Sequence, residues 1–234
     1  EVTRIKFSGA NAQAVTTRTS RYDADIVIGA ADYHFIENSL LPETYRSYSN
    51  SYWESREMAP SCLLYYVGLN KKLKNVLHHS LFFDVPFERH GTEIYTIKQW
   101  PREPLFYVSV SSVTDASVAP VDCENLVFLI PVAAGLSGDT EELRERYFDM
   151  IVKRFEDHIQ QPVSEFIIFK KSFAYSDFVN EYNSFKGNAY GLANTLSQTA
   201  IFRPSCRSKK VPNLFFTGQL TVPGPGVPPS LISG

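Results

Sequence analysis

The sequence predicts a mixed α+β fold, a largely antiparallel sheet covered by helices, and three observations carry that prediction. Apolar strand-like runs recur at residues 63–69, 81–83, 105–113 and 126–132, separated by turns at Asn70, Pro86, Pro101, Pro104 and Pro120. One strongly amphipathic stretch, with Leu143, Tyr147, Ile151, Phe155 and Ile159 on one face, follows the capping residues Asp139-Thr140-Glu141-Glu142. Aromatic residues make up 14% of the chain, 17 Phe, 13 Tyr and 2 Trp against only 2 Met, and such rings favour strands and rigid apolar cavities.

Taken in order, residues 2–7 read as a strand that turns at Ser8-Gly9-Ala10-Asn11 into a second strand, 12–19. Residues 22–32 form a continuous apolar run closed by small residues, the pattern of a strand buried on both faces in a central sheet. Asp32 is the N-cap of a helical stripe, Phe35, Ile36, Ser39 and Leu40, that breaks at Pro42. The four antiparallel strands come next, then the helix from Asp139 that covers them. Residues 163–173 are a further strand with Lys170-Lys171 at its outer end, and 175–185 a short helix. Arg203, Arg207, Lys209 and Lys210 form a basic cluster before a strand at 213–217, and exposed charge of this kind is expected to be solvated and free of ligand. Residue 1 already lies in a folded unit, and Pro228-Pro229-Ser230 suit the first turn of a helix that is barely begun, so the chain is expected to be a piece of a longer protein.

Composition narrows the function. With 234 residues and 44% of them hydrophobic, the chain has enough material for a packed core. Lys and Arg total 23 against 25 for Asp and Glu, so no basic excess is present to hold a phosphate backbone, and nucleic acid is not an expected partner. The longest nearly charge-free apolar stretch, 126–136, falls short of the roughly 18 residues of a spanning helix, which predicts a soluble or peripheral protein. Cys62, Cys123 and Cys206 have no CxxC spacing, and a reducing cytoplasm suits them. His34, His90 and His158 are isolated, and His78-His79 are strand neighbours expected to point to opposite faces, so no metal site is expected. No GxSxG, HExxH or P-loop pattern occurs, and no complete GxGxxG.

The informative segment is the last. Residues 213–217 form an apolar strand that ends at Gly218, passes through Gly224 and Gly226, and opens a helix at Pro228. Such a path aims backbone N–H groups at an anion or a ring edge, and glycines let the backbone approach a flat ligand. A purely structural turn of the same composition accounts for the pattern equally well.

Asn213-Leu214-Phe215-Phe216-Thr217-Gly218 followed by Pro223-Gly224-Pro225-Gly226-Val227-Pro228 resembles the carboxyl-terminal flavin motif of the bacterial-type phytoene desaturases and related carotenoid desaturases and isomerases. Further pieces agree in order along nearly the whole chain: residues 22–32, Tyr65-Tyr66-Val67-Gly68-Leu69, His78-His79 before Leu81-Phe82-Phe83-Asp84, Val113-Thr114-Asp115, Gly187-Asn188-Ala189-Tyr190-Gly191 and Phe202-Arg203-Pro204. The resemblance implies an FAD-dependent oxidoreductase of the amine-oxidase-like fold. It further implies that residues 1–32 are part of the FAD-binding domain, 33–204 the substrate domain, and 205–234 a return to the FAD domain. Carried over by position, Val2 meets the adenine, Gly218 and Gln219 approach the pyrophosphate and ribityl chain, and Gly226, Val227 and Pro228 lie beside the isoalloxazine ring. Pro225, Pro229 and Gln219 depart from the commoner form of the motif.

The reaction so implied removes a hydride and a proton from adjacent carbons of a long apolar polyene, with the flavin carrying the redox step in a dry cavity. Asp115, after the strand at 105–113, is expected first as a turn-capping Asp ahead of Ser117, and is kept as a candidate to take or relay the proton or to stabilise developing positive charge. A polyene comes from a bilayer, so peripheral contact with the inner face of the membrane is expected. The segment 95–106, with Ile97, Trp100 and Leu105 beside Lys98 and Arg102, is the place chosen for it, though a core strand explains it as well. Two rivals stand beside the desaturase: a redox-neutral carotenoid isomerase on the same fold, and a non-catalytic carrier of apolar lipid.

Overall fold

A computed structural model describes residues 1–234. Packing divides them into two compact units, one of residues 1–59 with 178–234 and the other of residues 60–177. Residues 33–59 and 178–204, grouped with the middle of the chain in the sequence reading, pack with its ends. Along the chain the elements are β1 (Val2–Ser8), β2 (Asn11–Thr17), β3 (Arg21–Asp23), β4 (Val27–Gly29), α1 (Tyr33–Phe35, continued by a wide turn over Ile36–Leu40) and α2 (Asn50–Glu54). The second unit then holds β5 (Ser61–Leu69), β6 (His79–Phe82), α3 (Phe87–Gly91, continued over Thr92–Ile97), β7 (Phe106–Ser109), β8 (Glu124–Val132), α4 (Glu141–Ile159) and β9 (Ile167–Phe173). After α5 (Tyr175–Tyr182), the chain adds β10 (Leu214–Phe216) and α6 (Val227–Ser233) to the first unit.

In the first unit β1, β2 and β3 make an antiparallel meander, and β4 pairs in parallel with β10. The run at 22–32 is thus not one strand buried on both faces. Period-two alternation buries only Val27 and Gly29, while Ile26 and Ile28 on the other face are 60% and 66% exposed. Gly29 packs closely: a Cβ there would stand 2.6 Å from the Ile36 Cδ1 and 3.3 Å from the Phe216 ring, so the end of the Ile36 side chain would have to shift to admit one. The core gathers Ile5, Tyr33, Trp53, Leu192, Leu214 and Phe216. Asn213 ties the unit together across the sequence: its Oδ1 accepts from the Ala12 amide, and its Nδ2 donates to the carbonyls of Ala12 and Asp25.

The second unit is a five-stranded sheet in the order β6-β7-β8-β5-β9, antiparallel at every pairing. One face is covered by α4, whose Tyr147, Ile151 and Phe155 pack against Leu63, Tyr65, Phe128 and Ile130 as the helical period requires. The cap is Thr140, whose Oγ1 accepts from the Leu143 amide, and not Asp139. Asp139 is taken instead by Arg144, which it holds through two contacts of 2.7 Å, and by Ser176. The predicted strand at 105–113 is shorter, β7 giving way after Ser109 to a tight turn at Ser111–Val113.

Candidate functional site

Two concave surfaces stand out, one in each unit. The first lies beyond the carboxyl ends of the parallel pair β4 and β10, where open α/β sheets gather ligands because backbone ends and helix starts converge there. A cleft of about 310 Å³ is lined by Val2, Val15, Ile28, Gly29, Ala30, Ala31 and Asn183 among others. A second, of about 360 Å³, shares Ala30, Ala31 and Asn183 and adds Asp32, Asn188 and Gln219. Of the residues singled out by the motif, Val2 therefore lines one cleft and Gln219 the other.

Asp32, the residue that closes β4, is buried and accepts from the amides of Phe35 and Phe185, each at 3.1 Å, and from Asn188 at 3.4 Å. Burial pushes its carboxyl above the usual carboxylate range despite those bonds. Its role as the cap of α1 was legible in the sequence; its place in the wall of a cleft was not.

Gly218 adopts φ +110, and a Cβ there would meet nothing within 4 Å, so its backbone faces open space. Gly226, at φ +115, would meet only the Pro229 ring. Both conformations exclude other residues without strain. Helix α6 starts at Val227 with Pro228 and Pro229 in its first turn, and it folds back on the strand end: the Ser233 hydroxyl lies 3.0 Å from that of Thr217 and accepts from the Gly218 amide. Gly226, Val227 and Pro228 are exposed and line neither cleft.

Of the basic cluster, Arg207, Lys209 and Lys210 are exposed as expected, with Lys209 over the Tyr48 ring. Arg203 is not: it is 3% exposed. The solvated assignment fails for it because three acceptors from other segments enclose its guanidinium.

The second concave surface is on the sheet face opposite α4. Register places Leu81 beside Tyr107, Tyr107 beside Leu129, Leu129 beside Leu64, and Leu64 beside Phe173, so one apolar row crosses all five strands. At the β6 end the row opens into an apolar groove of about 300 Å³, walled by Phe83, Phe87, Ile94, Tyr95 and Pro131. Its ionisable imidazole, His90, is buried and saturated: Nδ1 accepts from the Leu105 amide at 2.7 Å and Nε2 donates to the Pro131 carbonyl at 2.9 Å. Both bonds need the neutral ring, and burial lowers its pKa accordingly. The signal for this groove in the sequence is the pair Leu81 and Phe83 at strand spacing; the wall from α3 had none.

Asp115 is exposed in this unit and caps the turn Ala116–Val118, accepting from the Ser117 amide at 2.8 Å and its hydroxyl at 2.6 Å. Those bonds hold its carboxyl below the usual range. The segment 95–106 is divided: Tyr95 and Ile97 are exposed, whereas Leu105 and Phe106 are core residues, and Trp100 donates to the Ser137 carbonyl. His78 and His79 do not diverge, since only His79 lies in β6. Their rings stack at 4.0 Å, and each Nδ1 pairs with a different hydroxyl, of Thr114 and Tyr107.

No family model matches the chain. It is 41% identical over 210 residues, 90% of its length, to a carotenoid 3,4-desaturase of Haloarcula japonica, and 28% identical over 99% of its length to a zeta-carotene-forming phytoene desaturase of Myxococcus xanthus. It spans 42% and 45% of those two proteins, less than half of each. A solved oxidoreductase of Methanosarcina mazei superposes on the whole chain with a TM-score of 0.61 at 13% identity, the chain covering 47% of it. That likeness is one of fold. The fold class read from the sequence holds, a mixed and largely antiparallel sheet covered by helices.

Proposed function

We infer, for a chain homologous along 90–99% of its length to carotenoid and phytoene desaturases, that the whole protein is an FAD-dependent desaturase of a phytoene-like carotenoid. The observation that carries this reading to the substrate is the apolar row across the sheet with its groove. A hydrocarbon polyene offers no polar handle, so its site must be walled by rigid apolar groups with their polar atoms already satisfied, as His90 is. The substrate side is then the second unit, and the cofactor side comprises residues 1–32 and 205–234.

A bound flavin supplies the two-electron acceptor. Gly218 and Gln219 would approach its pyrophosphate and ribityl chain, Val2 its adenine, and Gly226, Val227 and Pro228 its ring. The open space at the Gly218 Cβ position supports this assignment, since a cradle for a flat ligand is what a side chain there would fill. Asp115 is tested as the proton acceptor by Asp115→Asn: lost turnover with flavin retained assigns it the proton, and unchanged turnover leaves it the cap of its turn.

For a peripheral membrane contact at the inner face, Phe83, Phe87, Tyr95 and Ile97 offer exposed apolar side chains, and Lys98 and Arg102 in the same stretch suit anionic headgroups. No helix is long and apolar enough to cross a membrane. The deciding experiment incubates the full-length protein with phytoene in liposomes. Products with added conjugated double bonds support the reading, and a flavin-loaded protein that yields none ends it.

A further inference from the structure

The Arg203 guanidinium is enclosed by dipoles alone. Nη2 donates to the Leu192 carbonyl at 2.9 Å and to Asn194 Oδ1 at 2.6 Å, and Nη1 donates to the Gln219 carbonyl at 3.2 Å. Nε is buried and has no partner. No carboxylate pairs with it, although buried cations are ordinarily paired because an isolated charge is costly to remove from water. Burial accordingly lowers its pKa.

Its position gives that charge a function. Gly224, at φ +118, lies flush on the guanidinium: a Cβ there would stand 3.0 Å from both Cζ and Nε. A Cβ on Gly191 would meet the Gln219 carbonyl, the same oxygen Arg203 holds, at 2.6 Å. One planar cation therefore pins residue 219, supports residue 224, and ties both to residues 192 and 194. It braces the Gly/Pro loop from beneath and places there a guanidinium that no carboxylate pairs.

We propose that Arg203 is the positioning residue of the 218–226 loop and that its unpaired charge makes the loop select an anionic ligand. This deepens the flavin reading and rests on it. In a flavin the anion is either the diphosphate or the deprotonated reduced ring, and two measurements separate them. The full-length protein is prepared as wild type, Arg203→Met and Arg203→Lys, and each is titrated with FAD and with uncharged riboflavin, then poised against redox dyes.

If the diphosphate is the partner, Arg203→Met weakens FAD about tenfold more than it weakens riboflavin. If the reduced ring is the partner, Arg203→Met lowers the midpoint potential and leaves that ratio unchanged. Lys keeps the charge but cannot span three acceptors, so Arg203→Lys recovers the charge effect while the loop stays more open to proteolysis than in the wild type. A folded Arg203→Met with wild-type affinity ratio and potential overturns the proposal. Should Met prevent folding, Arg203→Lys decides: faster loop cleavage with affinity kept supports it, and no change in either overturns it. A wild-type protein that binds no flavin overturns the flavin reading itself, and the proposal falls with it.

Discussion

The carboxamide of Asn213 grips the backbone of Ala12 from both sides, Oδ1 accepting its amide hydrogen at 2.9 Å and Nδ2 donating to its carbonyl at 2.7 Å. Asn213→Asp keeps the first bond and reverses the second, turning a donor into a charged acceptor that faces the carbonyls of Ala12 and Asp25. Urea unfolding of the full-length protein is expected to show a loss on the order of 2–3 kcal/mol. A loss no larger than that of an exposed Asn→Asp control would mean that the clip adds nothing to stability.

Gly191, at φ +78, has no room for a methyl group, since the obstacle is the backbone carbonyl of Gln219 rather than a movable side-chain end. Gly191→Ala is expected to cost about 3 kcal/mol through strain and overpacking together. It should also weaken flavin retention, because the displaced residue lies in the cofactor loop. Unchanged thermal stability would show that the two segments part easily.

Arg144 joins α4 to the end of β9 through Asp139, Ser172, Ser176 and Asp177, and the Arg144 and Asp139 side chains are 10% and 3% exposed. Arg144→Met strands a buried carboxylate and is expected to cost about 3–5 kcal/mol at neutral pH. Burial works against the ionised Asp139, but bonds from Arg144 and Ser176 outweigh it and hold its pKa low. A depressed acid stabilises the fold above its unfolded pKa, and that contribution is lost as pH falls through the folded one. The gap between variant and wild type should therefore narrow in acid, as chemical denaturation at pH 7 and pH 3 will test.

His90 titrates in a different window. Burial holds its folded pKa below that of a free imidazole, so between the two the unfolded chain binds more protons and stability rises with pH. The wild type should lose stability as pH drops below about 6.5, whereas His90→Gln should lose less. The raised carboxyls of Asp32 and Glu37 act in the opposite sense, costing stability as pH climbs above the carboxylate range. The difference between wild type and variant isolates the imidazole, and parallel pH profiles would refute its role.

Phe83 and Phe87 are 58% and 60% exposed, so Phe83→Glu with Phe87→Glu should leave the fold intact. Cosedimentation of the full-length protein with anionic vesicles is expected to fall about tenfold. Equal binding would move the membrane contact elsewhere.

How much of this was legible in the sequence depended on how local the deciding contact is. The buried face of α4 and the hairpin of β1 and β2 were readable, because periodicity and a Gly turn act within a few residues. So was the start of α6 at the prolines. Thr140 and Asp139 are both capping types, and only Arg144, one turn on and folded back, assigns them different duties. The run at 22–32 looked buried on both sides because apolar residues fill both faces, yet packing covers only that of Val27 and Gly29. Arg203 sits among Arg207, Lys209 and Lys210, and its acceptors lie on segments that no neighbouring residue announces.

The clip between Asn213 and Ala12 closes over 201 positions, and that span sets an order of events during synthesis. A ribosome adding about 5–20 residues per second leaves β4 without its partner strand β10 for roughly 10–40 s. In that interval the uninterrupted stretch 60–177 is fully made and free to fold by itself. The backbone edge of β4 that β10 will cover is open to other nascent chains throughout the wait. The yield of folded protein should thus depend more on chaperone supply early in translation than on the stability of the finished molecule.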